Sequence, residues 1–277
     1  MPPQKILFGT AGIPISTKTR DSVSGIERVK ELGLGAMELE FVRGIHMSEE
    51  TAKEVAKAAK KLGIALSVHA PYFINLNSRE KEKVSASRKR IMESARIGEK
   101  AGAEIVTFHP AYFQGEEKKK VLEKVAGEIA GMADEIRSNG WEISLAPETT
   151  GRETQLGSLE ETLEMCKSAR GVLPMVDFAH LHARSNGRFK AKKDFIEAIE
   201  CIPRKYLANL HMHASGIRFS EKGERSHLDM QDEGNSFNYQ WFLEALREKM
   251  VSGKVICESP SIEGDALLMK KYWEKIG

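Results

Sequence analysis

The chain has 277 residues, 41% hydrophobic and 30% charged, with a formal net charge of +2 at pH 7. These values describe an ordinary globular protein, exclude a disordered or fibrous one, and neither demand nor forbid a polyanionic partner. The longest apolar runs fall far short of the roughly 20 residues that cross a bilayer, and no apolar signal region opens the chain, so no membrane partner and a cytoplasmic location are expected. Cys166, Cys201 and Cys257 are odd in number and widely spaced. That argues against a disulfide framework or a thiolate metal knuckle and for a packing role.

Apolar, strand-like runs alternate with helical patterns along the whole chain. "KILFGT" (5 to 10) precedes a helix near 22 to 33, "AMELEF" (36 to 41) one near 48 to 62, and "IALSVHA" (64 to 70) one near 79 to 101. "AEIVTFHP" (103 to 110), "WEISLAPE" (141 to 148), "VLPMVDFAH" (172 to 180), "LANLHMHAS" (207 to 215) and "KVICES" (254 to 259) each precede a further helical stretch. Gly33, Gly63, Gly102, Gly140 and Gly253 stand where left-handed helix caps are expected before the next strand. Ser158 and Glu161 in "GSLEE" fit a capping box. The basic stretches at 85 to 90 and 116 to 120 fall within helical patterns and read as solvated helix faces.

Eight strand-then-helix units imply parallel strands with crossover helices, and their number fits a closed (β/α)8 TIM barrel forming one domain over residues 1–277. An open doubly wound sheet would carry a Gly-rich phosphate turn after its first strand, and "GTAGIP" (9 to 14) matches that poorly. The segment from 216 to 238 reads as a long irregular connection.

A barrel carries its chemistry at the C-terminal strand ends. Those ends supply His69, His109, Glu148, Asp177 with His180, His211 with His213, and Glu258; His227 lies in the long connection. Each residue taken singly fits a hydrogen-bonded histidine or carboxylate. Together they are the donor inventory of a divalent-metal site, in which shared carboxylates bridge ions. Several ions together generate a nucleophile at neutral pH and stabilise both oxygens of a phosphoryl displacement. His46 and His182 read as structural.

"HAPYFINL" (69 to 76), "FHP" (108 to 110), "APETTG" (146 to 151), "VDFAH" (176 to 180), "LHMHAS" (210 to 215), "RSHL" (225 to 228) and "CES" (257 to 259) occur in that order. The set resembles the endonuclease IV family of metal-dependent apurinic/apyrimidinic endonucleases, within the xylose isomerase-like barrel superfamily. The resemblance implies a zinc-dependent hydrolase that cleaves double-stranded DNA 5′ to abasic sites through a metal-activated hydroxide. It implies two or three Zn2+ ions, with Mn2+ as a substitute, and a monomer is expected.

By that resemblance His69, His109 and Glu148 hold one ion; Glu148 bridges to a second held by Asp177, His211 and Glu258; His180 and His227 hold the third. Glu148 also contacts the attacking hydroxide, Tyr72 enters the DNA at the lesion, and Arg43 helps to fill the gap. The family has an aspartate where this chain has Arg225. A cation cannot bind zinc, so the third ion is expected to recruit Asp229 or Glu224, to accept water, or to be absent, with Asp229 preferred because it shares the face of His227 if that segment is extended. His213 is expected as a further ligand, a phosphate contact on the DNA or a surface residue. A sugar isomerase or epimerase on the same barrel, and a non-catalytic binder of abasic DNA, are the competing readings.

Overall fold

The computed structural model describes residues 4–277, so the expected domain boundary at residue 1 lies outside the described residues. In chain order the elements are β1 (Ile6–Ala11), α1 (Ser22–Glu31), β2 (Ala36–Glu40), α2 (Glu49–Leu62), β3 (Ala65–His69), α3 (Lys81–Ala101), β4 (Ile105–Phe108), β5 (Ala111–Tyr112), α4 (Lys118–Ser138), β6 (Ser144–Pro147) and β7 (Gln155–Leu156). They continue with α5 (Leu159–Met165), β8 (Met175–Asp177), α6 (Phe178–Arg184), α7 (Lys192–Glu200), α8 (Arg204–Leu207), β9 (Leu210–Ala214), β10 (Gly216–Ser220), β11 (Gly223–Leu228), α9 (Tyr239–Glu248), β12 (Gly253–Cys257) and α10 (Glu263–Lys275).

Eight strands form one sheet in the order β6, β4, β3, β2, β1, β12, β9, β8, and every neighbouring pair in it is parallel. The two edge strands meet through the parallel bridges Leu145 to Val172 and Glu148 to Met175, which close the ring. The expected TIM barrel is therefore the fold.

Every helix except the short α8 buries apolar residues, on the face that the spacing of those residues dictates. Helix α2 starts at Ser48, whose hydroxyl accepts from the Thr51 N–H at 3.1 Å, and it buries Ala52, Val55 and Ala59. It stops at Gly63 with φ +68°, and α3 stops likewise at Gly102 with φ +74°, conformations that cost a Cβ-bearing residue steric energy. The capping box at Ser158 and Glu161 is present. Gly253 departs from expectation, because it opens β12 instead of capping a helix. A Cβ there would stand 1.9 Å from the Leu210 carbonyl oxygen, so close backbone approach requires the glycine.

The segment expected to be irregular holds the antiparallel hairpin of β10 and β11. Of the cysteines, Cys166 and Cys257 are buried as expected, whereas Cys201 is exposed. No helix among the described residues is long and apolar enough to cross a membrane.

Candidate metal centre

β3 ends at His69, whose Nδ1–H donates to the Ala70 carbonyl at 2.8 Å and so turns Nε2 toward Glu148, 3.3 Å from Oε2. His109, one residue past β4, places its own Nε2 3.3 Å from the same oxygen. Glu148 is completely buried just beyond β6. Its neighbour Thr149 ties that strand end to β8, receiving the Asp177 N–H at 2.8 Å on its hydroxyl. Asp177 then caps α6, its Oδ1 accepting from the His180 N–H at 2.7 Å. His180 donates Nδ1–H to the Thr149 carbonyl at 3.0 Å, which fixes the ring with Nδ1 3.1 Å from Glu148 Oε1 and Nε2 facing outward.

The third group comes from the hairpin. His227 donates Nδ1–H to the Glu258 carbonyl at 3.1 Å, and its Nε2 lies 3.7 Å from Glu224 Oε1. His180 Nε2 lies 3.5 Å from Glu224 Oε2. Opposite β10 the register steps from Ser226 to Glu224, leaving Arg225 as the extra residue of a β-bulge. A bulge shifts the alternation of faces by one residue, so Glu224 and His227 share a side although three positions separate them.

Three placements differ from the sequence-based expectations. Asp229 is not in the cluster; its Oδ1 accepts from the Ser261 N–H at 2.9 Å and holds the turn before α10, while Glu224 groups with His180 and His227. His213 is fully buried, which removes it as a DNA contact, and its Nδ1 lies 3.2 Å from Glu258 Oε2. His211 sits one layer deeper, opposite Met175 in the strand register where His213 stands opposite Asp177. The position expected for His211 beside Asp177 and Glu258 is therefore filled by His213. The two histidines face the lumen from alternate positions of β9, and the residue nearer the strand's C-terminal end reaches the mouth.

Two carboxylates escaped the sequence reading. Glu38 and Glu40 project inward from β2, and Glu38 lies 2.7 Å from His213 Nε2 and 3.2 Å from His211 Nε2. Their signal was the strict alternation of Met37, Glu38, Leu39 and Glu40, which puts both acids on the face opposite the apolar residues.

The residues suit cations. Both oxygens of Glu148, Asp177 Oδ2, Glu258 Oε2 and both ring nitrogens of His213 are buried without a hydrogen-bond partner. Such atoms cost about 1–3 kcal/mol each when unpaired. Burial disfavours the charged forms throughout, yet the imidazoles hold Glu148 and Glu258 below the usual carboxylate range. His69 rises to about 10, because the Glu148 carboxylate outweighs its desolvation. Burial pushes Asp177 up to about 6 and Glu40 to about 8. Groups His69, His109, Glu148; Glu148, Asp177, His180, Glu258; and His180, Glu224, His227 each converge within ion-binding reach. Because Glu148 and His180 recur among them, the groups are contiguous. Nitrogen and carboxylate donors in such a set fit zinc or manganese.

Residues 26–274 match the profile of the xylose isomerase-like TIM barrel family. The chain belongs to that family. It is 38% identical over 275 residues to an uncharacterised protein of Methanocaldococcus jannaschii, covering 98% of each. It is 27% identical over 184 residues to an apurinic-apyrimidinic endonuclease of Caenorhabditis elegans, covering 61% of this chain and 45% of that protein. Among solved structures, a D-tagatose 3-epimerase-like protein superposes with a TM-score of 0.72 at 20% identity, covering 97% of this chain and 96% of the other. Endonuclease IV from Thermus thermophilus superposes at 0.70 with 15% identity, covering 96% and 98%. These two likenesses speak for the fold alone.

In this xylose isomerase-like barrel the loops around the candidate ligands carry exposed apolar side chains. Of the five exposed large hydrophobic side chains among the described residues, Ile15, Tyr72 and Phe73 stand on the loops after β1 and β3 and Tyr112 on the short strand β5 that follows β4; Met250 is elsewhere. Tyr72 is 60% exposed, with its ring centroid 5.7 Å from that of His69. Its N–H donates to the Val42 carbonyl at 3.3 Å, which sets the loop carrying the exposed Arg43 beside it. Arg90 donates to the Phe73 carbonyl at 3.0 Å, fastening the aromatic pair to α3. His46 is exposed, and His182 is buried away from the ligands.

Proposed function

We propose that the protein is a divalent-metal phosphodiesterase that incises double-stranded DNA 5′ to abasic sites. The observation that carries this reading is the run of contiguous donor groups, with Glu148 shared by the first two and His180 turning Nε2 toward Glu224 in the third. Glu148, Asp177, His213 and Glu258 alone would serve a single ion. His69 and His109 on one flank, with His180, Glu224 and His227 on the other, extend the capacity to two or three. Bound divalent ions would activate water and offset the charge of both the entering and the leaving oxygen at phosphorus.

The chain's own residues do the rest. Glu148 is held rigid by burial and by the clamp of Thr149 on Asp177, so its carboxylate stays aimed between the two flanking histidine sets. Tyr72 and Phe73 offer exposed aromatic faces on which an unstacked base can pack, and Arg43 supplies positive charge beside them. Likeness to the nematode endonuclease supports the same substrate class.

A sugar epimerase is the second reading, favoured by Glu40. Its buried carboxyl, pushed to about 8, suits a proton-transfer group beside a metal-held sugar. One experiment separates the two readings: elemental analysis of the purified protein beside a cleavage assay on an abasic duplex, with and without chelator. Two or three equivalents of zinc or manganese with chelator-sensitive incision support the nuclease. A metal-loaded protein that leaves the duplex intact while interconverting ketoses reverses the order.

A further inference from the structure

Each of His69, His180 and His227 donates Nδ1–H to a backbone carbonyl, of Ala70, Thr149 and Glu258 respectively. An imidazole held that way carries its lone pair on Nε2. His213 is turned the opposite way. Its Nδ1 faces Glu258 Oε2 at 3.2 Å and Glu148 Oε1 at 3.7 Å, while its Nε2 faces Glu38 Oε1 at 2.7 Å. Glu38 is fully buried and is itself fixed by the Ser67 hydroxyl, donating at 2.6 Å to Oε2, and by His211 Nε2 at 3.2 Å on the same oxygen.

We infer that Glu38 is the positioning residue for the metal centre: it takes the Nε2 proton of His213 in a hydrogen bond and so dedicates Nδ1 to a divalent cation between Asp177 and Glu258. The inference rests on the metal-centre reading above. A carboxylate behind a ligating imidazole fixes its tautomer and ring angle and raises its basicity more than a carbonyl does. His211 serves Glu38 and not a cation. That explains why β9 carries two inward histidines of which only one reaches the mouth. Glu38 Oε1 and His213 Nε2 lie close but off the line of a hydrogen bond. The inferred hydrogen bond requires the imidazole to turn onto that line. The same two atoms converging on an inner ion is the arrangement that the test must separate from this one.

The experiment titrates zinc into wild-type protein and Glu38→Gln with 15N-labelled histidine, the His213 signals being assigned with His213→Asn. Long-range 1H–15N spectra of the wild type are expected to show His213 protonated at Nε2 and zinc-ligated at Nδ1. Glu38→Gln is expected to weaken one zinc by about 10- to 100-fold in chelator competition while the other equivalents hold. Should that variant not fold, Ser67→Ala loosens Glu38 and is expected to weaken the same ion about 2- to 10-fold. Ligation through Nε2, an anomalous zinc peak between Glu38 and His213, or unchanged affinity in both variants overturns the assignment. Wild-type protein that retains no zinc overturns the metal-centre reading along with it.

Discussion

Glu224 Oε1 lies 3.7 Å from His227 Nε2 although the two stand three positions apart on one strand. The bulge at Arg225 makes that possible and turns the arginine side chain outward, where it is exposed. Glu224→Ala is therefore expected to lose about one equivalent of bound metal, and Arg225→Ala to lose none. Elemental analysis of the two variants beside the wild type decides. Equal metal content in Glu224→Ala would remove the hairpin from the site.

The bulge also marks where the sequence stopped being informative. Strand ends are legible because strand-then-helix alternation marks where each strand closes, and so the sequence puts His69, His109, Glu148, Asp177 and Glu258 at one rim, where the structure brings them within reach of one another. Choosing between Glu224 and Asp229 as the partner of His227 needs the local register, because a regular two-residue alternation favours Asp229. The choice between His211 and His213 turned on one layer of barrel depth, which only pairing with β8 reveals. Glu38 and Glu40 were readable in the alternation of β2, but an acid inside a strand reads as solvent-facing until the strand is known to line a lumen.

Glu148 lies within 3.3 Å of His69 and His109 nitrogens and 3.1 Å from His180, so it cannot change without disturbing two donor groups. Glu148→Gln preserves volume and removes the charge. Incision of an abasic oligonucleotide duplex is expected to fall at least about 100-fold, the scale of losing a main electrostatic stabiliser of the transition state. A variant that keeps a tenth of wild-type turnover would deny Glu148 that role.

Tyr72 packs against the His69 ring at one edge and is otherwise open to solvent. Truncation should leave fold and metal content intact. If the ring stacks in the lesion, Tyr72→Ala weakens binding to an abasic duplex by about 1–3 kcal/mol, a factor of roughly 5 to 150 in Kd. Fluorescence anisotropy with intact and abasic duplexes measures this, and equal affinity of variant and wild type for the abasic duplex refutes the wedge.

Metal removal tests the buried, unpartnered oxygens of Glu148, Asp177 and Glu258. An ion that binds only the folded state adds about 2.7 kcal/mol at a hundredfold excess over its Kd. At about 2–4 °C per kcal/mol for a chain of this size class, chelation should lower Tm by about 5 °C or more. Calorimetry before and after exhaustive chelation, with metal loss verified, gives the answer; an unmoved Tm would mean that the cluster holds no ion in the native protein.

His182 gives a pH dependence separable from the candidate metal ligands. Burial depresses it from 6.5 to about 4, with Lys190 adding to the effect. Its ring accepts the Phe189 N–H at 3.2 Å and lies 2.9 Å from the Ser236 hydroxyl, the contacts of a neutral imidazole. The folded pKa lies below the unfolded one, so between about 6.5 and 4 the unfolded chain binds the extra proton. The stability contribution is whole above pH 6.5 and declines as pH falls toward 4, by about 2 kcal/mol between pH 7 and pH 5. Denaturant unfolding of wild type and His182→Gln at both pH values isolates the term, since other groups cancel in the difference. The variant is expected to start less stable at pH 7 and to lose about 2 kcal/mol less on acidification. Equal losses in the two proteins would show that the cage of Phe189, Phe219 and Phe237 does not hold a neutral histidine.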